Sequence, residues 1–268
     1  MRLLVSVRAG DEVAAALAGG ADIIDAKEPA RGSLGPVSPE MLQAISARVP
    51  ASVPVSAALG DFTAPDAVRY AVAGAKVTDR RAPTYLKLGF AGVRSKPAVT
   101  ALITAGLDAA AAVPVRPVVV PVGYADHDSA HSLPLEEMLR VAIVAGARAF
   151  LVDTHLKQGR GLLDWIELDR LRRLSADARS AGLLLAVAGS LDSGAVSRLG
   201  GIADVIGVRG AVCRGGREGT VDALLVQAIR DLLPDRGLAE REAWPREGSS
   251  SGLQPSVMKG ARKRDQRA

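Results

Sequence analysis

Short runs of β-branched and other apolar residues alternate along this chain with longer alanine- and leucine-rich stretches, over about 230 residues. The strand candidates are "LLVSV" at 3–7, "DIIDA" at 22–26, "VPVSA" at 53–57, "YLKLG" at 85–89, "PVVVPV" at 117–122, "AFLVD" at 149–153, "LLLAVA" at 183–188 and "DVIGV" at 204–208. Helices are predicted near 11–19, 39–48, 65–74, 95–112, 135–145, 164–181, 192–199 and 219–233, several opening on Asp, Ser or Pro. The segments "GGAD", "AGAK", "AGAR" and "LGGIAD" repeat one device, a helix stop at glycine and then a strand start. Strands without polar alternation are covered on both faces, as in parallel sheets. Eight such units predict a single α/β domain, a (β/α)8 TIM barrel. An open doubly wound sheet is the competing architecture, but "VSVRAGDE" after the first strand offers no glycine-rich phosphate turn. Beyond residue 235 the pattern dissolves into Ser, Gly and charge. The expected division is therefore a barrel catalytic domain over 1–235 and a disordered basic tail over 236–268.

Charge changes this picture little. The formal net charge is +5, but the final "KGARKRDQRA" carries five cations and one aspartate, +5 − 1 = +4, so the rest is near neutral. A short basic end without aromatics is expected to be solvated, and no nucleic-acid partner is expected. The longest apolar stretch, "AAAVPVRPVVVPVG", is broken by Arg116 and three prolines, so no membrane segment is expected. One cysteine, Cys213, cannot make an intrachain disulfide, and "MRLLVSVRAGDE" reaches charge too soon for a signal peptide. A cytoplasmic protein is expected, and a homo-oligomer is compatible with the sequence.

The barrel reading says where chemistry belongs, at the C-terminal ends of the strands. Strand two ends in Asp25 and Lys27, which share a face with Ile23. Strand four carries Lys87, strand five runs into Tyr124 and Asp126, and strand six ends in Asp153 with Lys157 four residues on. Of the 34 cationic residues only seven are lysines, and three of the five before the tail sit at strand ends. Lysine, unlike arginine, can lose its proton when crowded or desolvated and become a nucleophilic amine. A lone rim lysine serves more often as an ion-pair partner or phosphate contact. Three together with Asp25 and Asp153 point to one imine-forming lysine and another that moves protons. Gly189 and Ser190 after strand seven, and Arg209 and Gly210 after strand eight, are the candidate substrate phosphate site. Arg31 is a candidate for a second anion. His127, His131 and His155 lack metal-site spacing, so no metal is expected, and Cys213 reads as a buried small residue.

In order and spacing, "GGADIIDAKEPARGSLG", "YLKLGF", "GYAD", "DTHLKQG", "LAVAGSL" and "IGVRGAVC" resemble the (5-formylfuran-3-yl)methyl phosphate synthase family. The likeness covers about residues 1–230. It implies a class I aldolase-like lyase of methanofuran-type cofactor biosynthesis that condenses two molecules of glyceraldehyde 3-phosphate, losing phosphate and water, without a cofactor. It further implies that Lys27 forms the Schiff base, that Lys87 is its proton-transferring partner, that Asp25 supports Lys27, and that Asp153 and Lys157 complete the site. The sequence departs from the family pattern at Glu28, His155 and Gln158, which touch the neighbourhood of the lysines and not the lysines themselves. Two other readings compete: a Schiff-base aldolase of the deoxyribose-phosphate type, and a non-catalytic barrel that binds phosphate metabolites.

Overall fold

In a computed structural model, which describes residues 1–75, 80–157 and 159–234, eight parallel strands close into a barrel in sequence order. The strands are β1 (Arg2–Val7), β2 (Ile23–Ala26), β3 (Val55–Asp61), β4 (Thr84–Gly89), β5 (Val118–Tyr124), β6 (Ala149–Asp153), β7 (Leu184–Val187) and β8 (Val205–Val208). Closure is made by β1 pairing with both β2 and β8, Leu4 lying level with Ile23 on one side and Gly207 on the other. Outside run α1 (Glu12–Ala18), α2 (Pro39–Arg48), α3 (Pro65–Gly74), α4 (Lys96–Ala112), α5 (Leu135–Val144), α6 (Leu168–Ser180), α7 (Ser193–Arg198) and α8 (Ala223–Arg230). The expected tail over 236–268 lies outside the described residues, as does Gln158. No described helix is long and apolar enough to cross a membrane.

Local chemistry explains the helix boundaries. Ser38, Ser95, Asp192 and Asp222 each accept a backbone N–H from the first turn they precede, satisfying donors that a helix start leaves unpaired. Gly20 and Gly146 adopt positive φ just past α1 and α5, as the repeated stop signal predicts, whereas Gly74 of "AGAK" stays inside α3. Two copies of that repeat end in an aspartate with one structural task. Asp22 accepts from Leu3 N–H and Asp204 from Leu185 N–H, both at 2.8 Å, pinning each new strand to a neighbour.

The core lies between strands and helices, where Leu3, Val5, Ile24, Leu86 and Phe150 are fully buried. Burying each contributes roughly 1.5–3 kcal/mol. The inner face differs: on β6 to β8 it carries Ala149, Ala186 and Gly207, where such barrels usually place bulky branched residues. These small residues leave a cavity of about 430 Å³ that opens at the strand C-termini. After β8 the chain adds a small hairpin, β9 (Cys213–Arg214) with β10 (Thr220–Val221), ahead of α8. The helix predicted from residue 219 therefore starts at Ala223.

Candidate active site

The strand period carries Ile23, Asp25 and Lys27 to the barrel interior, since Lys27 N–H still bonds Val7 O at 3.0 Å and prolongs the ladder one residue past β2. Register sets Asp25 level with Ser56 and Ser56 level with Tyr85, so Lys87 stands one inward position higher and reaches back. Its Nζ lies 2.7 Å from both oxygens of Asp25, with donor geometry to Oδ2, which also accepts from Ser6 Oγ at 2.7 Å. Asp25 thus holds Lys87 directly. The charge of Asp25 also favours the ammonium form of Lys27, but the carboxylate that lies within 4 Å of Lys27 is Asp153, whose Oδ2 is 3.9 Å from Nζ.

Asp153, at the end of β6, accepts through Oδ1 from Lys157 Nζ at 2.6 Å and from Thr154 N–H at 2.7 Å. Lys157 Nζ also donates to Thr154 Oγ1 at 3.0 Å. The second oxygen of Asp153, 3.9 Å from Lys27 Nζ, is buried without a hydrogen bond among the described residues. Burial pushes the Asp153 carboxyl up, but Lys157 and Lys27 together outweigh it and hold the group below the usual carboxylate range.

Three lysines therefore face two buried aspartates. Lys87 and Lys157 each take one close partner, leaving Lys27 without a hydrogen bond among the described residues and with an 11% exposed side chain. Burial disfavours its charged form, Asp153 only partly compensates, and the ammonium groups of Lys157 and Lys87 push further in the same direction. The pKa of Lys27 falls to about 7. Such an amine is half neutral near neutrality and opens onto the cavity, the state that attack on a carbonyl requires.

The candidate anion residues divide. Gly189, Ser190 and Gly210 line the cavity, and among the described residues their N–H groups donate to no protein acceptor. Gly189 has φ +115°, and a Cβ there would stand 3.1 Å from Thr154 Cγ2. Ser190 shares the left-handed backbone at φ +49°. Arg209 also lines the cavity, but its guanidinium is spent on the protein. Nε donates to Arg217 O, Nη1 to Ser6 O and Glu12, and Nη2 to Glu12 and Gly219 O, all at 2.8–3.1 Å. Its five N–H donors leave none for a ligand. Arg31 is exposed, and its side chain donates to Pro36 O at 3.4 Å.

Glu12 and Asp61 escaped the sequence reading, which placed Tyr124 and Asp126 at the end of strand five without a role. Glu12, 3% exposed, is the counter-ion of Arg209 and accepts from Arg8 N–H at 2.8 Å. Tyr124 OH donates to Asp61 Oδ1 at 2.8 Å, and Gly89 must be glycine because a Cβ would meet both groups within 2.6 Å. Asp126 accepts from His155 and Leu156 N–H, each at 2.7 Å, fixing the loop that carries Lys157. An acid closing "ALGD" was the available signal for Asp61; Glu12, on a helix, gave none. No cluster of His, Cys, Asp and Glu that could hold a metal occurs among the described residues, and Cys213 is a buried free thiol.

The barrel resembles solved structures at low identity, including KGPDC from Streptococcus mutans (TM-score 0.55, 16% identical, covering 86% of this chain and 95% of that one). 3-Hexulose-6-phosphate synthase is similar in fold (TM-score 0.53, 19% identical, 87% and 100% covered). At the level of sequence, the family model described as 4-HFC-P synthase matches residues 3–230. The (5-formylfuran-3-yl)methyl phosphate synthase of Methanocaldococcus jannaschii is 35% identical over 236 residues, covering 87% of this chain and 99% of that one. Those of Methanosarcina barkeri and Methanothermobacter thermautotrophicus are 33% and 35% identical, covering 85% and 87% of this chain and 97% and 99% of theirs. With residues 3–230 matched by the family model and relatives at 33–35% identity covered almost end to end, this chain belongs to the (5-formylfuran-3-yl)methyl phosphate (4-HFC-P) synthase family.

Proposed function

We propose that the chain condenses two molecules of glyceraldehyde 3-phosphate into (5-formylfuran-3-yl)methyl phosphate through an imine on Lys27, as a step of methanofuran-type cofactor biosynthesis. The observation that carries this reading is Lys27 itself, a buried amine with a pKa near 7 that opens onto the cavity beside Asp153. Neutral Nζ adds to the aldehyde carbon of one triose, and water leaves to give an iminium ion that Asp153 stabilises. Loss of the proton at C2 then makes that carbon an enamine nucleophile towards the second triose.

The proton transfers fall to groups already paired with acids. Lys87, held by Asp25, faces the same cavity and is the proposed proton carrier, and Lys157 returns protons through the shared Asp153. The enamine carbon displaces phosphate from C3 of the second triose, whose C2 hydroxyl adds to the imine carbon; elimination of the amine then frees Lys27, and loss of the remaining ring hydroxyl as water completes the furan. The atoms balance: two C3H7O6P minus one H3PO4 and two H2O leave C6H7O6P. The cavity N–H groups of Gly189, Ser190 and Gly210 would receive phosphate oxygens. Arg209 acts here as a brace for the loop that follows β8.

The test is to give the enzyme glyceraldehyde 3-phosphate alone. A furan aldehyde should appear in the ultraviolet with one inorganic phosphate released per ring. If phosphate appears without furan, or neither appears, the substrate assignment is wrong.

A further inference from the structure

We infer that Arg217, in the β9–β10 hairpin loop, recognises the substrate phosphate and straps that loop to the one following Lys27. The inference rests on the phosphorylated-aldehyde reading above and adds the cation that holds the phosphate.

The first argument is one of charge. Five cationic side chains line the cavity: Lys27, Lys87, Lys157, Arg209 and Arg217. Lys87 is paired with Asp25, Lys157 with Asp153 and Arg209 with Glu12, while Lys27 shares Asp153 and is half neutral near pH 7. Arg217 makes no ion pair among the described residues. Being an arginine, it stays charged although burial draws its pKa down. The cavity therefore presents one full positive charge with no carboxylate on it.

Geometry supplies the second argument. Among the described residues the only side-chain nitrogen of Arg217 that is engaged is Nη2, donating to Pro29 O at 3.0 Å and Gly32 O at 2.5 Å, so both N–H groups of Nη1 and the one of Nε stay free for charge-assisted contacts with phosphate. The backbone of Arg217 is held by Arg209 Nε on its carbonyl, 2.8 Å away. Gly210 packs against it, an added Cβ standing 3.8 Å from Arg217 N. Arg209 is a positioning residue, and the contact it prepares is made one loop further along the chain. Because Pro29 and Gly32 follow Lys27 directly, phosphate capture at Arg217 also fixes the loop that closes beside the reacting amine.

The test is borohydride trapping in the full-length enzyme with glyceraldehyde 3-phosphate and with unphosphorylated glyceraldehyde. The wild-type protein should half-saturate with the phosphorylated aldehyde at a concentration lower by about ten- to a hundred-fold, the range of a charge-assisted contact. Arg217→Met and Arg217→Gln should lose most of that preference, each half-saturating with the two aldehydes at concentrations that differ by less than about three-fold. Retention of the full preference in either variant that melts like the wild type overturns the inference. In the unmodified enzyme, phenylglyoxal should label Arg217 and inorganic phosphate should protect it; labelling indifferent to phosphate would likewise overturn it. Absence of any adduct in wild type with either aldehyde refutes the imine at Lys27 instead, and the labelling arm still decides the anion site.

Discussion

Replacing Lys27 by methionine should abolish imine formation and make the protein more stable, by an amount that depends on pH. An unfolded lysine titrates near 10.5 and the folded one near 7, so between those values the unfolded state binds more protons. Stability of the wild type must then rise with pH across that window, and its deficit against the methionine variant must shrink. At about pH 7 the ionisation cost is roughly 4 kcal/mol, falling by about 1 kcal/mol per unit to roughly 1 kcal/mol at about pH 9.5. Asp153 keeps Lys157 at 2.6 Å in the variant and stays ionised throughout, so it adds only a constant. Urea unfolding of both proteins at several pH values measures the difference directly. A difference that does not change with pH would refute the claim that Lys27 is a desolvated amine.

Lys157→Met removes an ammonium that depresses Lys27 and frees Asp153 to favour its charged form, so the rising limb of kcat/KM, near pH 7 in the wild type, should move to higher pH; a limb that stays in place would separate the two lysines. Glu12→Ala strands the buried Arg209 charge and should cost about 3–5 kcal/mol in urea unfolding, and a loss below about 1 kcal/mol would contradict the account of that pair. Gly189→Ala forces φ +115° on an L-residue with its Cβ 3.1 Å from Thr154 Cγ2 and should cost about 1–3 kcal/mol, read as a lower melting temperature and a raised KM.

The barrel was legible because apolar runs and helix caps are local signals. Each of the eight strands was found, and Lys27, Lys87, Asp153 and Lys157 stood out because a charge at the end of a buried strand is locally anomalous. Strand ends were less legible. β3, predicted to end at Ala57, runs on to Asp61 through a register irregularity after Ala58. Pairing was not legible at all. Asp25 goes to Lys87, 62 residues away, and Arg209 to Glu12, 197 residues away, because barrel stagger and closure bring them together. Arg209 was singled out for its place after β8, yet the acid that consumes its donors sits on α1. Arg217 carried no strand or helix signal, since its importance comes from the loop that receives its hydrogen bonds.

The central claim is that Lys27 is the amine that captures the aldehyde. Reduction with borohydride in the presence of glyceraldehyde 3-phosphate, followed by peptide mapping, tests it most directly. The account predicts a single adduct on Lys27, lost in Lys27→Arg and retained in Lys87→Arg. An adduct on Lys87 or Lys157, or none on any lysine, would contradict it.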